Sequence, residues 1–142
     1  MRVSLAPGAL AAALLVLSAC TASKPLDPKD RAAAPPPEAV AWHPATREDI
    51  LGYFESERIA GEAAGALRRA FYAFAADGSY SGAALVQEGS HATFQVLSGR
   101  WTLTGQTLSL GEGSTPAKAS AAPDRLRLES EGSTAYFRRG AN

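Results

Sequence analysis

The chain has 142 residues, 14 basic and 14 acidic side chains, and a formal net charge of zero. That balance excludes nucleic-acid binding through a basic surface and a polybasic grip on anionic lipid. A single cysteine, Cys20, excludes an internal disulfide framework and a thiolate metal cluster.

Arg2 is followed by an uncharged run rich in Ala and Leu over residues 3–19. A cationic start, an apolar middle and small residues at the end describe an export signal. At about 1.5 Å per residue the run is barely long enough to span a bilayer as a helix. The residues Leu17-Ser18-Ala19-Cys20 resemble the lipobox of bacterial lipoproteins. This resemblance implies that residues 1–19 are a lipoprotein signal peptide and that the Cys20 sulfur accepts a diacylglyceryl group. Cys20 then becomes the acylated, palmitate-bearing N-terminus, held in the membrane at about 0.8 kcal/mol per buried CH₂. In the family, Asp after the cysteine marks inner-membrane retention. Thr21 stands there instead, which points to the outer membrane, facing the periplasm, in a diderm. The alternative is an ordinary secretory signal with an incidental cysteine.

Residues 20–45 read as the N-terminus that the resemblance implies is lipidated, followed by a Pro/Ala-rich tether. Six of the nine prolines fall here, at Pro25, Pro28, Pro35, Pro36, Pro37 and Pro44. Proline fixes φ and removes the N–H that helix or sheet requires, so the segment reads as semi-extended. Trp42 is its one large aromatic, placed either at the membrane interface or against the domain that follows.

Residues 46–142 suit one small domain, with no internal repeat. Thr46-Arg47-Glu48-Asp49 has the pattern of a capping turn, and "ILGYFESERI" reads as the first strand. In "GEAAGALRRA", Ala63, Ala66, Leu67 and Ala70 lie at helical spacing, although Gly65 opposes a helix. The segment is left open between one short helix and a strand. From Arg69 onward the pattern has period two. A three-residue Ala76-Asp77-Gly78 loop puts Tyr72 and Phe74 on the face of Tyr80, Ala84 and Val86. A Gly105-Gln106 loop pairs Leu103 with Leu108 and Trp101 with Leu110. A Glu131-Gly132 loop pairs Leu128 with Ala135 and Leu126 with Phe137. Phe94 and Val96 are even-numbered where Trp101 and Leu103 are odd, so a bulge near Ser98-Gly99 is expected to bring them to one inward face. With "PAKASAA" this makes about eight strands, an all-β antiparallel up-and-down meander that closes into a small barrel.

"FAADGSYSGAAL", "LSGRWTLTGQTLSL" and "DRLRLESEGSTAYFRR" are similar to the small lipocalin-like domains of bacterial envelope proteins, over residues 50–139. Lipocalins carry Gly-x-Trp on the first strand, its ring packed against an arginine of the last. Here Gly52-Tyr53-Phe54 has phenylalanine in that place, and Arg138 or Arg139 supplies the arginine. The resemblance implies a lipocalin-like barrel that binds an apolar small molecule or lipid.

Catalytic, metal and cofactor constellations are not expected. His43 lies in the tether and His91 in a turn, with no second histidine near either. Asp77 before glycine is explained by its hairpin. "GSYSG" has Tyr80 where a nucleophile elbow needs serine. Glu55, Glu57 and Glu62 read as a solvated strand edge, and Arg125, Arg127 and Glu129 as an outward face. What remains is the interior. Ala84, Ala117, Ala119 and Ala121 are expected to face Tyr72, Phe74, Tyr80, Phe94, Trp101 and Phe137. They either line a cavity for an apolar ligand or fill the taper of a small barrel. Two functions follow: a membrane-tethered binder of an apolar molecule or lipid, or a non-enzymatic structural or protein-interaction module of the envelope, acting as an assembly factor or inhibitor. An enzyme ranks third.

Overall fold

The computed structural model describes residues 36–141; Cys20 and the leader lie outside the described residues. The strands are β1 (His43–Pro44), β2 (Gly52–Gly61), β3 (Leu67–Phe74), β4 (Ser79–Glu88), β5 (His91–Thr104), β6 (Thr107–Leu110), β7 (Ala117–Ala122), β8 (Arg125–Ser130) and β9 (Ser133–Arg139). A one-turn helix, α1 (Arg47–Ile50), precedes β2. From β2 to β9 each strand pairs antiparallel with the next, and β9 returns to β2. The chain is thus a closed eight-stranded up-and-down barrel, the fold its alternation predicts.

The three glycine-placed hairpins fall in the expected registers. Phe74 lies opposite Tyr80, Leu103 opposite Leu108, Trp101 opposite Leu110, and Leu126 opposite Phe137. At the two-residue turn between β8 and β9 both Glu131 and Gly132 have positive φ, which suits the twist of such a hairpin. Between β2 and β3, where helix and strand were both open, there is only a 3₁₀ turn (Glu62–Gly65); Leu67 and Ala70 belong to β3.

The irregularities lie elsewhere than the sequence suggests. Pairing of β4 with β5 runs unbroken from Ser79–Arg100 to Glu88–His91, so Ser98-Gly99 carries no bulge. Register shifts occur instead between Ser56 and Arg58 on β2 and between Leu67 and Arg69 on β3. An extra residue in a strand reverses the facing of all that follows. Phe54 therefore faces inward before the first shift, and Ile59, paired with Ala135, after it.

The domain also begins earlier than residue 46. The short β6 covers only Ala117 and Lys118 of β7, and β1 continues along that edge opposite Ser120 and Ala121. Ala45 is buried in the core, and the Trp42 ring lies tilted 6.0 Å from Tyr136 with the Arg127 guanidinium 5.0 Å from its ring. Of the two places open to Trp42, the structure shows the one on the domain.

One end of the barrel is plugged. The Thr46 backbone N–H and hydroxyl both donate to the Asp49 carboxylate, at 2.8 and 2.9 Å, and hold the first turn of α1. Burial works against that carboxylate. The two bonds from Thr46, with His43 and Arg139 nearby, outweigh it and keep its pKa below 3.8. Ile50, fully buried, points into the barrel end.

Candidate functional site: the barrel interior and its open end

At the plugged end the first and last strands are clasped by an arginine. Arg139 donates to the Leu51 carbonyl and, at 3.0 Å, to the Asp49 carbonyl; its guanidinium lies 4.7 Å from the centre of the Phe54 ring. Of the two candidate arginines it is therefore Arg139 that meets the aromatic of Gly52-Tyr53-Phe54. The glycine has a physical reason: its φ is +118°, and a Cβ there would collide with the guanidinium. Arg47 of α1 repeats the arrangement 4.6 Å over Trp101, and donates to the Ala76 carbonyl.

Above this plug the aromatic side chains form a continuous cluster. Phe74 meets Phe54 at 6.3 Å, Trp101 at 5.8 Å and Tyr72 at 5.5 Å, and Tyr72 reaches Phe137 at 5.6 Å. Trp101 Nε1–H donates to the Ala75 carbonyl at 3.0 Å, so the indole is buried with its polar atom satisfied. Phe74, Trp101, Phe137, Ala84, Ala119 and Ala121 are all buried. These residues come together as expected, and in this part the barrel is filled.

The rest of the interior differs. Tyr72, Tyr80 and Ala117 pack against the core yet are only half-buried, as are Leu67, Leu103 and Leu110. Eight strands leave room either for side chains alone or for one small ligand. The rings of Tyr72 and Tyr80 lie 6.4 Å apart, and neither hydroxyl has a hydrogen-bond partner among the described residues. Burial, with Tyr80 beside it, pushes the Tyr72 phenol above its ordinary 10.0. At neutral pH it is a neutral donor facing an apolar interior.

Phe94 is a correction. It is 68 % exposed and Val96 is 83 % exposed. With no bulge in β5, they oppose Leu85 and Ala83 on the outer face, while Thr93, Gln95 and Leu97 take the inner one. Assigning Phe94 to the interior assumed that large apolar residues point inward, which does not hold for every exposed strand.

Glu57 is another correction. It is the extra residue at the β2 shift, and its side chain, 19 % exposed, contacts Arg125 at 3.1 Å and Arg138 at 3.3 Å. Arg125 is 7 % exposed rather than solvated. The contact is ionic rather than a well-aligned hydrogen bond, since the same nitrogen has no properly oriented acceptor. Glu55 instead pairs with Arg69 at 2.6 Å on an exposed surface.

Asp77 accepts hydrogen bonds from the Ser79 N–H and hydroxyl, which lower its pKa from 3.8 and account for it as a turn former. An open hollow of about 330 Å³ lies at the β3–β4 turn, lined by Gly52, Tyr53, Ala73, Phe74, Ala75, Ser79, Tyr80 and Ser81. Among the described residues no cluster of His, Cys, Asp and Glu is placed to hold a metal ion, and no helix is long and apolar enough to cross a membrane.

The functional question therefore rests on a barrel with a buried aromatic core and a set of inward residues beside it, Tyr72, Tyr80, Leu103, Leu110 and Ala117, that stay partly exposed. Compared with known proteins, the chain matches no family model, no curated protein and no solved structure.

Proposed function

We propose that this protein is an envelope lipoprotein, anchored through acyl chains on Cys20, whose lipocalin-like barrel holds one small apolar molecule or lipid. One observation carries the ligand reading: Tyr72, Tyr80 and Ala117 face the inside of a closed barrel and remain only half-buried. An apolar ligand seated there would cover them, and the two phenols would orient its polar end. The Arg139–Phe54 clasp supports the lipocalin-like reading, because it joins the strands that the resemblance says it should.

Native mass spectrometry of the full chain extracted from membranes tests the ligand reading. A non-covalent adduct of lipid or other apolar mass is expected, and Ala117→Phe should remove it with little loss of thermal stability, because the added ring occupies free space. Ala119→Phe, at a site with 0 % exposure, should instead cost about 1–3 kcal/mol by overpacking. If no adduct is found and a hydrophobic fluorescent probe does not bind, the carrier reading falls.

The anchor is tested separately. Cys20→Ser should abolish labelling by a fatty-acid probe and release the protein from the membrane fraction; a variant that still labels overturns the lipobox assignment. The second reading, a protein-interaction module, is favoured by the exposed Phe94 and Val96.

A further inference from the structure

The upper half of β5 has a neighbour on one side only. β4 pairs with it from His91 to Arg100, but β6 reaches only Trp101 to Thr104, and among the described residues no strand lies along residues 91–99 on the other side. The direction of the free groups follows from two bonds. Trp101 N–H donates to the Gly78 carbonyl on the β4 side, and the Arg100 carbonyl accepts from Gly111 N–H on the β6 side. Backbone groups alternate sides along a strand. Ala92, Phe94, Val96 and Ser98 therefore each present one N–H and one C=O to the open edge.

Natural edge strands are blunted by lysine, proline, bulges or brevity. This one has none of these. The sequence from Gly89 to Gly99, "GSHATFQVLSG", contains no Asp, Glu, Lys, Arg or Pro, and the pairing is regular throughout. Its two most exposed apolar side chains, Phe94 and Val96, flank its midpoint, Gln95.

We propose that this edge pairs antiparallel with the same edge of a second copy of the chain, forming a two-fold dimer with Gln95 on the axis. The edge is its own complement. Turned about Gln95, Phe94 of one copy lies opposite Val96 of the other, and Ala92 opposite Ser98. All four are edge-facing residues, so each opposed pair exchanges both of its backbone hydrogen bonds. The neutral strand brings no like charges together. On the outer face the apolar row Leu85–Phe94 of one copy continues into Val96–Ala83 of the other. A second copy fits better than an unrelated strand because the free length, the hydrogen-bonding parity and the apolar positions are all symmetric about one residue. The interface is short, about 30 Å of strand, and belongs with modest dimers rather than obligate ones. This inference is independent of whether the interior holds a ligand.

Cysteine scanning of the full chain tests it. Gln95→Cys lies opposite its own copy, within disulfide reach, and should give a cross-linked dimer in membranes under mild oxidation. Thr93→Cys and Leu97→Cys should not, since each lies about 13 Å from its own copy in this register. The parent chain and Cys20→Ser/Gln95→Cys control for Cys20. Val96→Lys, on an exposed side chain that the fold does not need, should reduce dimer in detergent by at least tenfold in sedimentation equilibrium. Equal cross-linking at 93, 95 and 97, a cross-link to a protein of different mass, or a monomer at about 100 μM would each overturn the proposal.

Discussion

Trp101→Ala should lower the unfolding free energy by about 3–5 kcal/mol, read as a shifted urea midpoint at unchanged slope. The indole is 2 % exposed and edge-on to Phe74, lies under the Arg47 guanidinium, and donates to the Ala75 carbonyl. Truncation opens a void, removes an aromatic contact worth about 0.5–1.5 kcal/mol and strands a carbonyl at the β3–β4 turn. Against a typical total of about 5–15 kcal/mol, such a loss leaves a domain of this size near its threshold. Arg100→Ala, one residue away, is the control. Its side chain is exposed and donates one bond to the Asp77 carbonyl, so it should cost under about 1 kcal/mol. Equal losses at the two positions would mean that β5 does not keep the facing described for it.

Glu57→Ala should be nearly as damaging, at about 3 kcal/mol. Its carboxylate is the ionic partner of both Arg125 and Arg138, and the Arg125 side chain is only 8 % exposed. Removing the carboxylate leaves a guanidinium that cannot lose its proton and has little water to turn to. Pairing Glu57→Ala with Arg125→Met should recover most of the loss, since an apolar side chain of similar volume tolerates that site. The effect should also persist in 1 M salt, where exposed pairs are screened. The exposed Glu55–Arg69 pair, by contrast, should be worth no more than about 1 kcal/mol. A cost below about 0.5 kcal/mol for Glu57→Ala would place Glu57 among such surface pairs.

These two side chains mark the boundary of what the amino-acid order makes legible. Trp101 is readable because its facing follows from a local turn. Gly105 can take positive φ, a two-residue loop forces Leu103 opposite Leu108, and parity does the rest. The same logic recovers the hairpins at Gly78 and Gly132, and hence the barrel. Glu57 is not readable, because its position depends on a register shift against β9, between Ser56 opposite Phe137 and Arg58 opposite Tyr136, far along the chain. No local pattern announces such a shift within a run of mixed charges. Phe94 fails for a different reason: unbroken alternation from the inward Trp101 puts it on the outer face, and only the premise that a large apolar residue must face inward called for a bulge. The docking of β1 was hidden by composition, since proline-rich sequence reads as tether even where two residues complete the edge left by a short β6. In the candidate site, the buried aromatics and alanines were legible as one face. Which of them remain accessible depends on where the rings of four strands meet, and that is a property of the closed barrel.

The clasp at the plugged end has a consequence for the order of assembly. Arg139 reaches back across 88 and 90 residues to the Leu51 and Asp49 carbonyls, and β2 finds one of its two neighbours only in β9. A chain emerging N-terminus first can zip β2 to β3 and β4 to β5 early, since those partners follow one another. It cannot shut the ring until β9 is free. Until then β2 has a bare side, and the Phe54 ring lacks its guanidinium lid. Closure is therefore a late, long-range event, of the kind that slows β-rich domains. The chain stays threadable for as long as its final strand is withheld.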